Sequence, residues 1–307
     1  MRAAVVTEFG TPPTCQDFPT PEPATKDEVL VDVVAAGLHP RVRSQADGSH
    51  YTEKGELPFV PGIDGVGRAP DGTLRYFVLP DTSMGAMAER TVVDLRRSVV
   101  LPEDADPVLV AAGMNPAMSA WVALRQRIEF AAGQDVLVLG ATGSAGRLAV
   151  QVAKHLGAGR VVAAGRDPQR LATVGADVAL TFDELGKAAD VDVVLDYVWG
   201  PPTANALRTI VTERADRGRP LTWVEIGSVA GRTTELPSAA LRAARLQLVG
   251  SGQGSVPTGN IVAELHALVK EIGTFRIDAR AVPLQDIESA WRDTGSTQRV
   301  VITPGTP

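Results

Sequence analysis

Two textures of hydrophobic patterning divide the chain. From residue 1 to about 112, short alternating apolar runs such as DEVLVDVVAAG and GTLRYFVLP are cut by Pro and Gly. This is the period-two pattern of half-buried strands, and helical periodicity is scarce there. From about 113 to 255 the apolar runs become continuous (DVLVLG, GRVVAAG, ADVALTF, VDVVLDYV, LTWVEIG, LQLVG) and alternate with helical stretches. Strands buried on both faces and separated by helices predict a parallel sheet with crossover helices. After 256, helices over about 258–273 and 285–295 precede a last strand, QRVVITP. No internal repeat or low-complexity linker is present, so the domain boundary is a change of texture only.

The stretch VLVLGATGSAGRLAV, residues 136–150, joins one of those strands to one of those helices. Strand Val136 to Leu139 enters a turn with Gly140, Gly143 and Gly146. The helix that follows carries Ala145, Leu148, Ala149, Val152 and Leu156 on one face and has Gly157 as its stop. Each glycine has a physical task. The first permits unusual backbone angles, the second lets a pyrophosphate approach the main chain, and the third allows close helix-to-strand contact. The helix N-terminus offers free N–H groups to the anion. The strand before it and the five strand-like segments after it predict a dinucleotide site rather than a plain turn.

Which dinucleotide is bound follows from the end of the second strand, VVAAGRDPQRL. An NAD-preferring protein places an acid there for the ribose hydroxyls, whereas this chain has Gly165 and Arg166. Asp167 before Pro168 reads as an N-cap followed by a first-turn proline. Arg166, with Arg170, suits a 2′-phosphate through its planar fork, which predicts NADPH; the plainer alternative is two solvated arginines at a helix start.

Composition narrows the picture further. At 307 residues, 44% apolar and 21% charged, two globular domains are a better expectation than one. A net charge of −6 argues against nucleic acid, whose binding rests on Lys and Arg. No apolar run reaches the roughly 20 residues of a spanning helix, and MRAAVVTEFG turns polar too early for a secretion signal, so a cytoplasmic protein with no membrane partner is expected. Cys15 is the only cysteine, which excludes an intrachain disulfide and any zinc site built on several thiolates.

The opening RAAVVTEFG, then DEVLVDVVAAGLHP, LPFVPGIDGVG, GAMAERTVV, MNPAMSAWVAL, the glycine loop, DVVLDYVWG and the closing RVVITP stand in an order that resembles the medium-chain dehydrogenase/reductase superfamily. Within it they resemble the zinc-independent quinone oxidoreductase group. The resemblance implies an α/β protein with a GroES-like β domain from 1–112 and 256–307. A Rossmann domain over 113–255 would be a doubly wound parallel sheet, with the active site in the cleft between the two and a homodimer in solution. Zinc-dependent members carry a cysteine ligand after AAG and a His-Glu pair after PG, where this chain reads Leu38-His39 and Ile63-Asp64. The four-cysteine structural zinc lobe is missing too. Other departures are the short GVGRAPDGTLRYF, His39 in place of an asparagine, and Phe182 where relatives often have a tyrosine near the adenine ribose.

By the same resemblance Gly143, Ser144, Ala145 and Gly146 meet the pyrophosphate. Gly227 and Ser228 lie near the nicotinamide, Ser251 and Gly252 of GSGQGS flank it, and Ser119 is a further contact or a packing residue. Hydride transfer also needs a donor for the charge that develops on the substrate oxygen. Tyr51 matches a tyrosine that relatives place over the substrate and is the first candidate. His39 is the second, unless LHPRVRSQADGSHYTEKGELP is a surface loop whose polar residues only stabilise turns. His155 and His266 fall on polar helix faces. Arg41 and Arg43 attract an anionic substrate or are simply solvated. The function expected is an NADPH-dependent reductase of quinones or α,β-unsaturated carbonyls, without metal. The alternatives are reduction of a ketone or aldehyde with Tyr51 as proton donor, and a non-catalytic NADPH-binding protein like the lens-type relatives.

Overall fold

The computed structural model describes residues 1–49, 56–252 and 254–305. The chain forms two compact units, Met1–Asn115 with Leu265–Pro307, and Pro116–Glu264.

The first unit is built on a seven-stranded sheet. Its order is Ala279–Pro283, Arg299–Thr303, Glu28–Gly37, Asp64–Arg68, Leu74–Val78 and Ser98–Val100, with Arg90–Asp94 paired to the other half of the long strand Glu28–Gly37. All pairs are antiparallel except Ala279–Pro283 with Arg299–Thr303. The last strand docks Val301 opposite Gly37 and Ile302 opposite Ala36, so the C-terminal strand joins strands from the first hundred residues, while Arg2–Val5 and Thr14–Asp17 pair in a separate two-stranded sheet. Val31, Val33, Phe77, Met87, Leu284, Trp291 and Ile302 form part of its core. The Pro-Asp-Gly turn closes a tight hairpin: Gly72 sits at φ +86°, and the Asp71 carboxylate accepts from Thr73 N–H (3.0 Å) and Oγ1 (2.7 Å).

The second unit is a six-stranded parallel sheet in the order Val178–Thr181, Val161–Gly165, Val136–Leu139, Val193–Asp196, Leu221–Glu225, Leu246–Gly250. Numbered along the chain this is 3-2-1-4-5-6, with the direction of winding reversing beside the strand that feeds the glycine loop. Leu137, Leu139, Val194, Leu207, Ile210 and Trp223 are among the apolar residues buried on one face of the sheet. The molecule is thus an α/β protein with a GroES-like β unit and a Rossmann-type unit.

Two local readings change. The segment after Leu38 begins with a helix, Pro40–Ala46, started by a first-turn proline and anchored by buried Val42 and Ala46. Seven residues are too few for a periodic signal to emerge from the sequence. Pro107–Arg127, whose last five residues widen into a π-turn, is also long and apolar enough to cross a membrane by length and composition, with 67% of its most apolar stretch buried. That burial is what a core helix requires; Ser119 lies in this helix, as the sequence reading placed it, and Asn115, Pro116 and Ser119 interrupt its apolar run.

Candidate functional site

In the Rossmann unit the three glycines carry three distinct loads. Gly140 has φ +82°, and its N–H and that of Ala141 both donate to the Ala164 carbonyl at 3.0 Å. At Gly146 a Cβ would collide with the Gly140 carbonyl oxygen and lie 2.7 Å from Ala141 Cα, so only glycine lets the helix lie this close to the strand. Gly143 differs: its φ is −76°, it is exposed, and a Cβ there would meet nothing nearer than 3.5 Å. Neither strain nor packing within the protein demands glycine at 143. What the missing side chain leaves is open space at the N-cap of Ser144–His155, where no side chain caps the first N–H groups. A pyrophosphate fits that cradle, against Ser144 and Ala145 in the first turn. Gly157, at φ +87°, ends the helix.

At the end of the second strand Asp167 accepts from Gln169 N–H (2.9 Å) and Arg170 N–H (3.2 Å), the N-cap its sequence context predicts. Both bonds fall on Oδ1, so this oxygen is committed to the cap. Arg170 donates to the Thr142 carbonyl at 3.2 Å and so borders the glycine loop. Arg147 joins this group, its guanidinium donating to Thr173 Oγ1 at 2.9 Å and to the Thr142 carbonyl at 3.4 Å. Arg166 is exposed, and among the described residues nothing hydrogen bonds to its guanidinium. Phe182 is partly buried against the sheet core.

The remaining cofactor candidates gather at the carboxyl ends of the fourth to sixth strands. Gly227 N–H donates to the Asp196 carbonyl (3.1 Å), and buried Ser251 N–H to that of Glu225 (2.8 Å); Ser228 and Gly252 are exposed. Ser119 Oγ donates to the Pro116 carbonyl at 2.7 Å and lies 2.9 Å from the Tyr197 hydroxyl. Sequence reasoning overlooked two residues here, Tyr197 and Asp196. The Asp196 carboxylate is fully buried and takes four donors: Val198 N–H (2.8 Å), Trp199 N–H (3.1 Å), Thr203 Oγ1 (2.7 Å) and Trp223 Nε1 (3.0 Å). It thereby fixes a turn in which Trp199 adopts φ +52°. An acid closing an otherwise wholly apolar parallel strand was the available signal, because a buried charge persists only when fully partnered.

The GroES-like unit holds the other candidates. His39 is 2% exposed, and its Nε2 meets Asp64 Oδ1 at 2.7 Å; the Tyr76 hydroxyl donates to Asp64 Oδ2, also at 2.7 Å. A carboxylate only accepts, so the proton of the first bond sits on Nε2. Nδ1 is left as a buried acceptor with no partner among the described residues. Gly37 makes room for the ring, since a Cβ there would lie 2.5 Å from His39 Nε2. Burial and the adjacent Asp64 charge push the Tyr76 phenol well up, so it stays a donor. Burial lowers the Arg299 guanidinium to about 10. Arg41 pairs with Asp81 at 2.9 Å, while Arg43 stacks on Trp291 and donates to the carbonyls of Ala290 and Trp291 at the end of a helix. Both arginines therefore have structural partners. His155 and His266 are exposed. Tyr51 and His50 lie outside the described residues. Also among the described residues, no group of three or more His, Cys, Asp and Glu is arranged to hold a metal ion.

No protein-family model matches the chain. It is 32% identical to a probable NADPH-dependent quinone reductase of Emericella nidulans, covering 99% of this chain and 100% of that one. It is 31% identical to a chloroplastic NADPH-dependent alkenal/one oxidoreductase of Arabidopsis thaliana over 56% of this chain and 50% of the other. Among solved structures, the quinone oxidoreductase of Thermus thermophilus, determined alone and with NADPH, superposes with a TM-score of 0.84 at 30% identity, covering 99% of this chain and 100% of that one. This chain is an oxidoreductase of the medium-chain dehydrogenase/reductase superfamily. Within that superfamily it belongs to the quinone oxidoreductase family. The Emericella alignment runs over 359 positions, more than the 307 residues present here, so that relative carries segments with no counterpart in this chain.

Proposed function

We propose that this protein is an NADPH-dependent reductase of quinones or α,β-unsaturated carbonyls that works without zinc. The observation that carries the reading is the open cradle at Gly143, set between a strained glycine turn and an uncapped helix N-terminus and bordered by Arg170, with the exposed Arg166 nearby in sequence. The named relatives and the NADPH-bound neighbour support the cofactor and the substrate class. Bound NADPH supplies the hydride. In this reading the loop N–H groups and Ser144 hold its pyrophosphate, Arg166 and Arg170 its 2′-phosphate, and Gly227, Ser228, Ser251 and Gly252 leave room for the nicotinamide end. Tyr51 donates the proton or hydrogen bond that meets the charge developing on the substrate oxygen. His39 is the weaker donor, being buried with its Nε2 proton committed to Asp64. Independence from zinc rests on the single cysteine and on the Asp64 oxygens already taken by His39 and Tyr76. A homodimer assembled through the open edge of the parallel sheet completes the reading.

The deciding experiment follows NADPH oxidation against a panel of quinones, enones, ketones and aldehydes, with product analysis and elemental analysis of the protein. Consumption with quinones or enones, reduced carbon-carbon bonds in the enone products and no stoichiometric zinc are the expected results. Turnover confined to ketones and aldehydes would move the assignment to a carbonyl reductase. NADPH binding with no turnover across the panel would make it a non-catalytic relative. Zinc near one per chain, lost together with activity, would overturn the metal-free mechanism. In the active case Tyr51→Phe is expected to lower kcat by about 10- to 100-fold, at or below the low end of general-acid assistance, without changing NADPH affinity.

A further inference from the structure

Tyr197 follows the fourth parallel strand, and its N–H continues that strand's pairing by donating to the Leu139 carbonyl at 3.2 Å. Its main chain is held between two glycines. A Cβ at Gly140 would lie 3.5 Å from Tyr197 Cβ, and one at Gly227 would lie 3.3 Å from the Tyr197 carbonyl oxygen. The residue therefore stands between the first glycine of the phosphate loop and the loop after the fifth strand. The residue is 8% exposed. Ser119 spends its only proton on the Pro116 carbonyl at 2.7 Å, so in its 2.9 Å contact with Tyr197 the phenol must be the donor. Burial pushes the phenol up despite the opposing pull of Ser119, so at neutral pH the proton remains on tyrosine. Its oxygen is then oriented, with its remaining acceptor capacity unused by the described residues.

We propose that Tyr197, locked by Ser119, is a cofactor-orienting residue whose phenol oxygen accepts a hydrogen bond from the nicotinamide half of NADPH, from the carboxamide N–H or from a hydroxyl of its ribose. The inference rests on the NADPH reading above. It adds a residue that reads the nicotinamide half, whereas Arg166 and Arg170 read the adenosine half.

Tyr197→Phe keeps the ring and leaves the Ser119 to Pro116 bond intact, so the fold should survive. Calorimetric titration compares NADPH with 2′,5′-ADP, which carries the adenosine phosphates and no nicotinamide. The expected result is NADPH binding weakened about 3- to 10-fold with 2′,5′-ADP unchanged. Equal affinities for NADPH in wild type and variant would overturn the proposal, as would equal weakening of both ligands, which would mark Tyr197 as a support of the loop. Wild-type protein that binds neither ligand would remove the NADPH reading itself, and this inference with it. Reduced 3-acetylpyridine adenine dinucleotide phosphate lacks the amide N–H. A wild-type to variant ratio that collapses to one with this analogue makes the carboxamide the donor, and a ratio that persists makes it the ribose. A second readout needs no variant: the chain has three tyrosines, so ring-labelled wild type allows the Tyr197 Cζ resonance to be followed by NMR. It should shift with NADPH and stay put with 2′,5′-ADP, and identical shifts with both would refute the contact.

Discussion

Arg166 and Glu225 illustrate how much a single side chain can be asked to decide. Arg166 is exposed and without a hydrogen-bond partner among the described residues, while Asp167 caps the helix through Oδ1. A 2′-phosphate contact at Arg166 is worth about 1.5 to 3 kcal/mol as a charged hydrogen bond. Arg166→Ala should therefore erase most of the preference for NADPH over NADH, read as the ratio of the two dissociation constants; a ratio that survives would transfer the role to Arg170. Glu225 closes the fifth parallel strand, and burial, reinforced by the Asp196 charge, raises its carboxyl above the ordinary value. A raised carboxyl means that the folded state holds its proton more tightly than the unfolded one. Stability is then lost as pH rises from the unfolded value, about 4.3, through the folded one. Glu225→Gln removes this penalty. It is expected to melt higher than wild type at pH 7, with the advantage gone by about pH 4; equal melting temperatures at pH 7 would show that the carboxylate is better solvated than its surroundings suggest. The capping role of Asp167 was legible in sequence because Asp-Pro before a helix has one dominant meaning. The Trp223 partner of Asp196 and the partners of His39 and Arg43 were not, since they lie on residues distant in the chain: Asp64 for His39 and Trp291 for Arg43.

Among the elements, the strand, glycine turn and helix over 136–157 could be read almost completely, because every constraint on it is local. Strand period, three glycines, an apolar helical face and a glycine stop fall within about twenty residues. The helix Pro40–Ala46 escaped for the opposite reason: it is short, and what holds it is the burial of Val42 and Ala46 against elements far away in sequence. The glycine turn also separates folding from binding. Gly146→Ala would drive a methyl group into the Gly140 carbonyl and against Ala141 Cα, both rigid main chain, and should cost about 1 to 3 kcal/mol as overpacking. Gly143→Ala makes only an ordinary van der Waals contact, 3.5 Å from the Gly140 carbonyl oxygen, at an ordinary φ, so its unfolding midpoint in urea should stay near that of wild type. The same methyl group occupies the cradle, and NADPH binding should fall at least about 10-fold. A Gly143→Ala protein that binds NADPH normally would show that the pyrophosphate lies elsewhere.

For the whole molecule, the parallel sheet ends in strands that are open on one side. Among the described residues Leu246–Gly250 pairs only with Leu221–Glu225, and its apolar residues are poorly suited to water at an open edge. An uncovered edge is a template for further pairing, which proteins blunt with charge, proline or a partner. This strand has neither charge nor proline, as its residues are Leu246, Gln247, Leu248, Val249 and Gly250. The short helix Ser238–Ala243 packs beside it and leaves Leu241 45% exposed, and Val229, in the loop after the fifth strand, is 81% exposed. A two-fold assembly through this edge would extend the sheet from one subunit to the next and cover that apolar surface in a single isologous contact. Sedimentation equilibrium at micromolar concentration is expected to give a dimer. Leu241→Glu, which places a charge beside the edge without touching the parallel pairing, is expected to shift it toward monomer while the far-ultraviolet circular dichroism stays unchanged. A wild-type monomer at all concentrations would show that the edge is tolerated alone, and a dimer indifferent to Leu241→Glu would move the interface to another face.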